Sequence, residues 1–292
     1  MAKALTPVYE PSPGRKMRVA VFFSGGASAF KAMLDSDPNY GKLYEVVAGV
    51  TNNEVAGGIP LFTDRGIEVL RYPLKFRSFD VEAAKPMYEE VLQGLNRFDP
   101  DIIALSGFMR IVTFPLIEQR EEMGEYSGRV FNVHPAPLYI LTGPGVERLN
   151  AWDMDPVQVT KLAKANRLKR RYKGGDAVTD AVISGEHKTS STVHIATEVY
   201  DEGPVVVTSR DFEIDDAMRS SALRPRPDRR RSEQQRQYAR ELQERMKVEG
   251  DGPAYVKALE MTARGELEIE RRNGLFVVYR SGERLPYQGV QL

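Results

Sequence analysis

The chain of 292 residues carries 41 basic and 41 acidic side chains, 41% hydrophobic residues and no cysteine. Zero formal net charge excludes a whole-molecule field that would draw the protein to nucleic acid or an anionic membrane, and the lack of cysteine excludes disulfides, thiolate metal sites and a cysteine nucleophile. The length can bury a sizeable core as one large α/β domain or two smaller ones, and with no signal peptide and a first apolar run too short to cross a bilayer, a soluble cytoplasmic protein is expected.

Residues 1–16 hold three prolines and end in a basic turn, which reads as an N-terminal extension, a tail or edge strap outside the core. MRVAVFF (17–23) is a continuous β-branched and apolar run, as a strand buried on both faces requires, and SGGASAFKAML follows as a small-residue loop opening a helix. YEVVAGVTNN reads as a second buried strand, AGGIPLFTDRGI as a short helix, VLRYPL as a third strand and VEAAKPMYEEVLQGLNRF as an amphipathic helix. PDIIALSGF and GRVFNVHP are two further strands, the second breaking at proline. Strands alternating with helices predict a mostly parallel twisted sheet with helices on both faces, whose ligands bind beyond the carboxyl ends of the strands.

The rhythm breaks over residues 141–175, which read as an insertion with a helix from about 156 to 171 and a basic end. It resumes with DAVTDAVISGE as a helix, TSSTVHIATEVY as a strand and GPVVVTSRDFEI as a strand in antiparallel-like alternation. Residues 219–248 begin rich in arginine and proline and become a charged helix, expected to be solvated. AYVKALEMTARG is a helix, and the chain closes with a hairpin hinged on Asn-Gly. The expected organisation is one domain over 17–292, with no internal repeat.

Two groups of residues can carry chemistry. A glycine-rich loop between strand and helix, Gly25, Gly26, Ala27, Ser28 and Ala29, offers backbone N–H groups where the helix dipole favours an anion, phosphate above all. It has neither the Walker lysine-hydroxyl ending nor a clean dinucleotide fingerprint; close packing of helix on sheet is the alternative use of such a loop. The second group is Asn132, His134 and Asp201. Two end one strand and the third sits in the turn YDEGP after another, so all three can converge at one sheet edge. An amide can polarise a carbonyl, an imidazole can donate to a developing oxyanion, and a carboxylate can orient that imidazole or take a proton, which together are the parts of acyl transfer to an amine. Three histidines without ligand-like spacing make no metal site.

SGFMRIV, FNVHP, TSSTVHIATEVYDEGPVVV and GERLPYQG, in that order, resemble the folate-dependent formyltransferases, and most nearly the branch acting on glycinamide ribonucleotide. The resemblance covers residues 17–135 and 172–290 apart from the arginine-rich stretch. It implies a Rossmann-like fold and transfer of a formyl group from 10-formyltetrahydrofolate, as co-substrate, to an amine by direct attack, within purine synthesis. By the same resemblance Asn132, His134 and Asp201 are catalytic, His194 is a further active-site histidine, and Thr192 keeps the hydroxyl of a usual serine. Phe108, Met109, Arg110, Ile111 and Val112 bind the pterin, Gly25 to Ala29 bind the acceptor's phosphate, and Glu249 or Asp251 contacts the acceptor. Asn132 and His134 are expected to share the oxyanion while Asp201 relays the amine proton.

The phosphate loop departs from the family's usual GNGSN at Ala27 and Ala29, which opens the choice of acceptor. The alternatives are an amino sugar nucleotide, methionyl-tRNA, or a non-catalytic RNA-associated protein using the basic runs. The implied partners are small molecules, a folate and a phosphoribosyl amine, with nucleic acid disfavoured, no membrane, and a homodimer as one open assembly. His187 is expected to be exposed and outside the chemistry, and Trp152 to anchor the insertion.

Overall fold

A computed structural model describes residues 5–73, 81–118, 122–219, 229–272 and 275–292. After a two-residue strand β1 (Thr6–Pro7), the run MRVAVFF forms β2 (Met17–Phe23), the central strand. Val19, Val21 and Phe23 face one core cluster and Ala20 and Phe22 the other, because successive side chains of a strand alternate and this one is covered on both sides. The loop after it opens α1 (Ser28–Ser36), followed by β3 (Tyr44–Thr51), α2 (Ile59–Thr63), β4 (Val69–Arg71), α3 (Val81–Leu95), β5 (Ile102–Leu105) and β6 (Val130–His134). Strands β2 to β6 pair in parallel in the spatial order β4-β3-β2-β5-β6.

The insertion then departs from the sheet. β7 (Ile140–Gly143) and β8 (Val146–Asn150) form a hairpin, α4 (Pro156–Asn166) follows, and β9 (Lys169–Arg170) returns to pair with β7. The helix ends five residues before the sequence suggests. Arg167 takes the left-handed conformation with φ 53° and its amide bonds to Ala163 O, which ends a helix by satisfying one of its last carbonyls. Trp152 packs edge-on against Tyr139 at 4.7 Å, anchoring the insertion as expected.

Next come α5 (Ala177–Ile183), β10 (Lys188–Thr189), β11 (Thr192–Ile195), β12 (Val205–Thr208) and β13 (Phe212–Glu213). The two long strands read from the sequence are each broken in two: β11 and β12 extend the main sheet antiparallel from β6, while β10 and β13 form a separate ladder. α6 (Arg229–Met246) passes through a π-helical turn at Lys247–Asp251 into α7 (Gly252–Ala263). From Gln235 onward α6 is not a solvated helix, since Gln235, Ala239, Leu242 and Met246 are buried at helical spacing; the arginine-rich stretch before residue 229 lies outside the described residues. β14 (Leu267–Arg272), β15 (Leu275–Arg280), β16 (Glu283–Arg284) and β17 (Val290–Gln291) end the chain. β14 and β15 form the expected hairpin, whose Asn-Gly hinge also lies outside the described residues.

β17 adds in parallel to β12, completing an eight-stranded sheet of order β17-β12-β11-β6-β5-β2-β3-β4. This is the mostly parallel sheet with helices on both faces that the sequence predicts, with α1 and α7 on one face and α3 on the other. The N-terminal extension is more than an edge strap: β1 pairs with β14, and Val8 and Tyr9 are buried in the main core. Two apolar residues inside a proline-rich stretch gave too little periodicity to be read as core. Among the described residues no helix is long and apolar enough to cross a membrane.

α7 is pinned to the sheet by Tyr255. Its buried hydroxyl lies 2.5 Å from Leu105 O and 2.9 Å from Phe131 O, the carbonyls just before the strand ends that bear the candidate site. Tyr255→Phe removes a buried donor from two acceptors, and is expected to lower unfolding free energy by about 1–3 kcal/mol in urea melts without changing the denaturant slope. A melt that superposes on the parent's removes the clamp.

Candidate functional site

β2, β5 and β6 run parallel and end together, and a cavity of about 640 Å³ opens beyond their carboxyl ends. Asn132 and His134, two residues apart on β6, share one face of the sheet. In the antiparallel register of β11, His194 stands opposite Asn132 and Thr192 opposite His134. The turn between β11 and β12 brings in Asp201. Gly25 to Ala29, Phe108 to Val112, Asn132, His134, His194, Asp201 and Asp251 all line this one cavity. Glu249 is on the outside, paired with Arg210, so of the two acidic candidates Asp251 alone faces the site.

The polar centre is arranged around Asp201, a buried residue in the left-handed conformation at φ 56°. Its Oδ2 accepts the Gly174 amide at 3.0 Å and lies 3.6 Å from His134 Nδ1, while Oδ1 lies 3.6 Å from His194 Nε2. Burial alone would raise this carboxyl, but His194, His134 and the Gly174 amide outweigh it and hold Asp201 well below the usual carboxylate range. Burial pushes the His134 imidazole down from its ordinary value by more than the neighbouring Asp201 pulls it up.

Hydrogen bonds assign the ring protons. His194 Nδ1–H donates to Ile195 O at 3.1 Å, so Nε2 presents a lone pair to the Asn132 amide nitrogen, also at 3.1 Å. One amide N–H of Asn132 is thus committed, and the other is left for an acceptor in the cavity. His134 Nε2–H donates to the buried carbonyl of Tyr172 at 3.0 Å, which leaves a bare Nδ1 beside Asp201. In the neutral ring that nitrogen is the one His134 turns towards Asp201, while the remaining N–H of Asn132 faces the cavity. Thr192 is buried in the strand and donates to Ala136 O at 3.0 Å; its hydroxyl ties the end of β6 rather than lining the cavity.

The two loops flanking this centre are joined to each other. Ser24 Oγ bonds to Asn52 Oδ1 and accepts the Met109 amide at 2.8 Å, and Ser24 N donates to Gly107 O at 3.2 Å. Tyr88, fully buried in α3, donates to Ile111 O at 2.7 Å. Residues 107–112 are therefore held mainly through backbone groups, and Arg110 Nε is buried without a hydrogen-bond partner among the described residues. At the other loop no side chain caps α1, and Ala27 takes φ 49°, a conformation that favours glycine and costs an alanine about 1 kcal/mol. A Cβ on Gly25 or Gly26 would meet nothing within 4 Å, so the loop backbone is open to the cavity.

Sequence reading missed several lining residues. Gln243 and Lys247 stand eight and four residues before the expected Asp251 on one helical face, detectable had residues 219–248 not been read as solvated. Tyr172 and Gly174 carried no signal, because they act through backbone atoms. Buried Asp251 has its carboxyl pushed up to about 6, with Ser191 and Lys247 pulling against burial, and Oδ1 has no partner among the described residues. His187 is exposed and outside the cavity, as expected.

The family model described as formyl transferase matches residues 17–143. The chloroplastic phosphoribosylglycinamide formyltransferase of Arabidopsis thaliana is 26% identical over 195 residues, 67% of this chain and 55% of its own length. The phosphoribosylglycinamide formyltransferase of Escherichia coli K12 is 23% identical over 194 residues, 66% of this chain and 72% of its own. The chain thus spans about half the length of the plant relative. Among solved structures, the phosphoribosylglycinamide formyltransferase of Coxiella burnetii has a TM-score of 0.64 at 20% identity, over 95% of this chain and all of that one. At that identity the likeness establishes the fold.

Two titrations test the electrostatics. In ring NMR, His134 is expected to protonate below the ordinary imidazole value of about 6.5; a midpoint above it removes the proton assignment made here. Folding raises the Asp251 carboxyl, so the folded state binds the extra proton between about pH 4 and 6, and the stability this confers at low pH is lost as pH rises through about 6. Asp251→Asn is therefore expected to add about 1–3 kcal/mol at neutral pH and nothing below about pH 4. Urea melts of both proteins at the two pH values measure the difference, and a pH-independent gain contradicts it.

Proposed function

Because residues 17–143 match the family model described as formyl transferase, we propose that this protein transfers the formyl group of 10-formyltetrahydrofolate to the amine of glycinamide ribonucleotide by direct attack. One observation carries the reading: a single cavity pairs the uncommitted N–H of Asn132 with the acceptor pair of Asp201 and His134. Attack of a neutral amine on the formyl carbon pushes electrons onto the formyl oxygen and leaves a proton on the attacking nitrogen. Asn132 donates to that oxygen, held in aim by His194. Asp201 and the bare Nδ1 of His134 take the amine proton and pass it to the departing folate nitrogen as its bond to carbon breaks. The carboxylate stays ionised in its buried site, so it stabilises the positive charge that develops on the attacking nitrogen before the proton moves.

The remaining assignments follow the cavity's length. Residues 108–112 offer backbone groups and an apolar wall to the pterin, and the orphaned Arg110 Nε offers a donor to the same ligand. The open backbone of Gly25 to Ala29 at the start of α1 suits the acceptor's phosphate. Asp251, reached from the opposite wall, contacts the acceptor. The altered side chains at Ala27 and Ala29 leave that backbone route intact. A cytoplasmic location, and a phosphoribosyl amine as the acceptor class, complete the proposal.

The test is an acceptor screen with 10-formyltetrahydrofolate, following folate release with glycinamide ribonucleotide against an amino sugar nucleotide, methionyl-tRNA and water. Formylation of glycinamide ribonucleotide in preference to the others is expected, and turnover with water alone would replace transfer by hydrolysis. Asn132→Ala and Asp201→Asn are each expected to lower kcat by about 10²–10³. Turnover within about threefold of the parent in either variant, far short of a lost oxyanion donor, rules out that residue's role.

A further inference from the structure

The basic run KANRLKRRYK, whose electrostatic reading was RNA docking, does not form one cationic surface. Lys173 pairs with Glu202 at 2.8 Å, and Arg171 donates to the Glu147 carbonyl. Arg170, by contrast, is the largest fully buried side chain among the described residues, 2% exposed. A guanidinium is costly to desolvate, and one that deep is normally matched by a carboxylate. Here the nearest carboxylate oxygen, on Glu202, is 4.0 Å from Nε. Arg170 Nη1 instead donates at 2.7 Å to the backbone carbonyl of Asp201, and its guanidinium lies over the Tyr287 ring, 5.5 Å from the centroid.

This bond falls on a site residue whose backbone is left-handed, Asp201 at φ 56°. The same five-residue stretch grips the site twice more: Gly174 N donates to Asp201 Oδ2, and Tyr172 O accepts His134 Nε2–H. Tyr172 is itself fixed, its hydroxyl donating at 2.8 Å to Glu186, which Arg148 of β8 holds through two bonds at 2.8 and 3.0 Å. Both ends of this brace, Arg148 and Arg170, belong to the insertion at 141–175. C-terminal residues hold it from behind, since Tyr287 N donates to Met154 O at 2.9 Å and Gln288 exchanges two bonds with Asp153 at 2.7 and 2.8 Å.

We propose that Arg170 is a positioning residue for the transfer reaction, fixing the carboxylate of Asp201 against His134 and His194 through its backbone carbonyl, so that the insertion is part of the catalytic machinery. The proposal rests on the formyl-transfer reading for its kinetic arm only. Arg170 touches no reacting atom, so its loss displaces the proton acceptor without removing a substrate contact.

The experiment compares the parent with Arg170→Gln, which retains a neutral donor, and Arg170→Ala, assayed with and without added methylguanidinium, with methylammonium at equal ionic strength as control. The expected result is a fall in kcat of about 10- to 100-fold, as sub-ångström to ångström misplacement produces, with both KM values within about threefold. Arg170→Ala should regain activity with methylguanidinium and not with methylammonium, a response that general loss of packing would not give. The three histidines supply a second readout in ring NMR of the full chain: the His134 and His194 signals shift in Arg170→Gln, and His187 stays in place. Should the parent formylate no amine, the functional reading fails, and the NMR arm alone decides the role of Arg170. Unchanged kcat in an active parent, a change confined to KM, or unmoved His134 and His194 signals overturns it.

Discussion

A buried carboxylate keeps its charge only among polar partners, and the groups around Asp201 account for most of what is unusual in this structure. Its charge survives burial because β6, β11 and the end of the insertion each bring a polar group to it. The antiparallel pairing of β11 with β6 puts Asn132 and His194 in register, and the left-handed backbone at residue 201 aims the carboxylate back at both imidazoles.

Asp251 is the counterexample. It is buried with too few donors, and the cost appears as an elevated pKa instead of a retained charge. Two carboxyls in one cavity with environments pushing them in opposite directions suit different tasks, one ionised and one able to donate a proton near neutral pH. The π-helical turn that carries Asp251 adds a residue to the helix just where α6 would otherwise run straight into α7, and such bulges recur at functional sites.

Much of the fold was legible because β2, β3, β5 and β6 are short apolar runs ended by turns, a pattern that a parallel sheet buried on both faces imposes. The convergence of Asn132, His134 and Asp201 followed from topology alone. What the sequence concealed was carried by backbone atoms and by context. Nothing in its own side chain marks Tyr172 as the acceptor for His134, since its carbonyl does that work. Arg170 sits in a run of basic residues that composition assigns to solvent. The early end of α4 depended on a non-glycine residue entering the left-handed region, and the split of β11 from β10 on hydrogen-bond partners far along the chain. The altered glycine loop was visible, but not that Ala27 would keep the glycine-like conformation in spite of its Cβ.

Gln288 and Asp153 meet across 135 residues of chain, and the brace behind Arg170 depends on that meeting. Contacts of such sequence separation are entropically expensive until the intervening elements have condensed. The parallel core can close on nearer neighbours, with β2, β3 and β5 gathered around α1 and α3, well before the C-terminal residues reach the insertion. The alignment of Asp201 is therefore expected to need more than the sheet and its helices, since it also waits on the contact of Gln288 with Asp153. Signals from secondary structure and activity should then recover at different times after dilution from denaturant, with the gap set by docking of the C-terminal clasp.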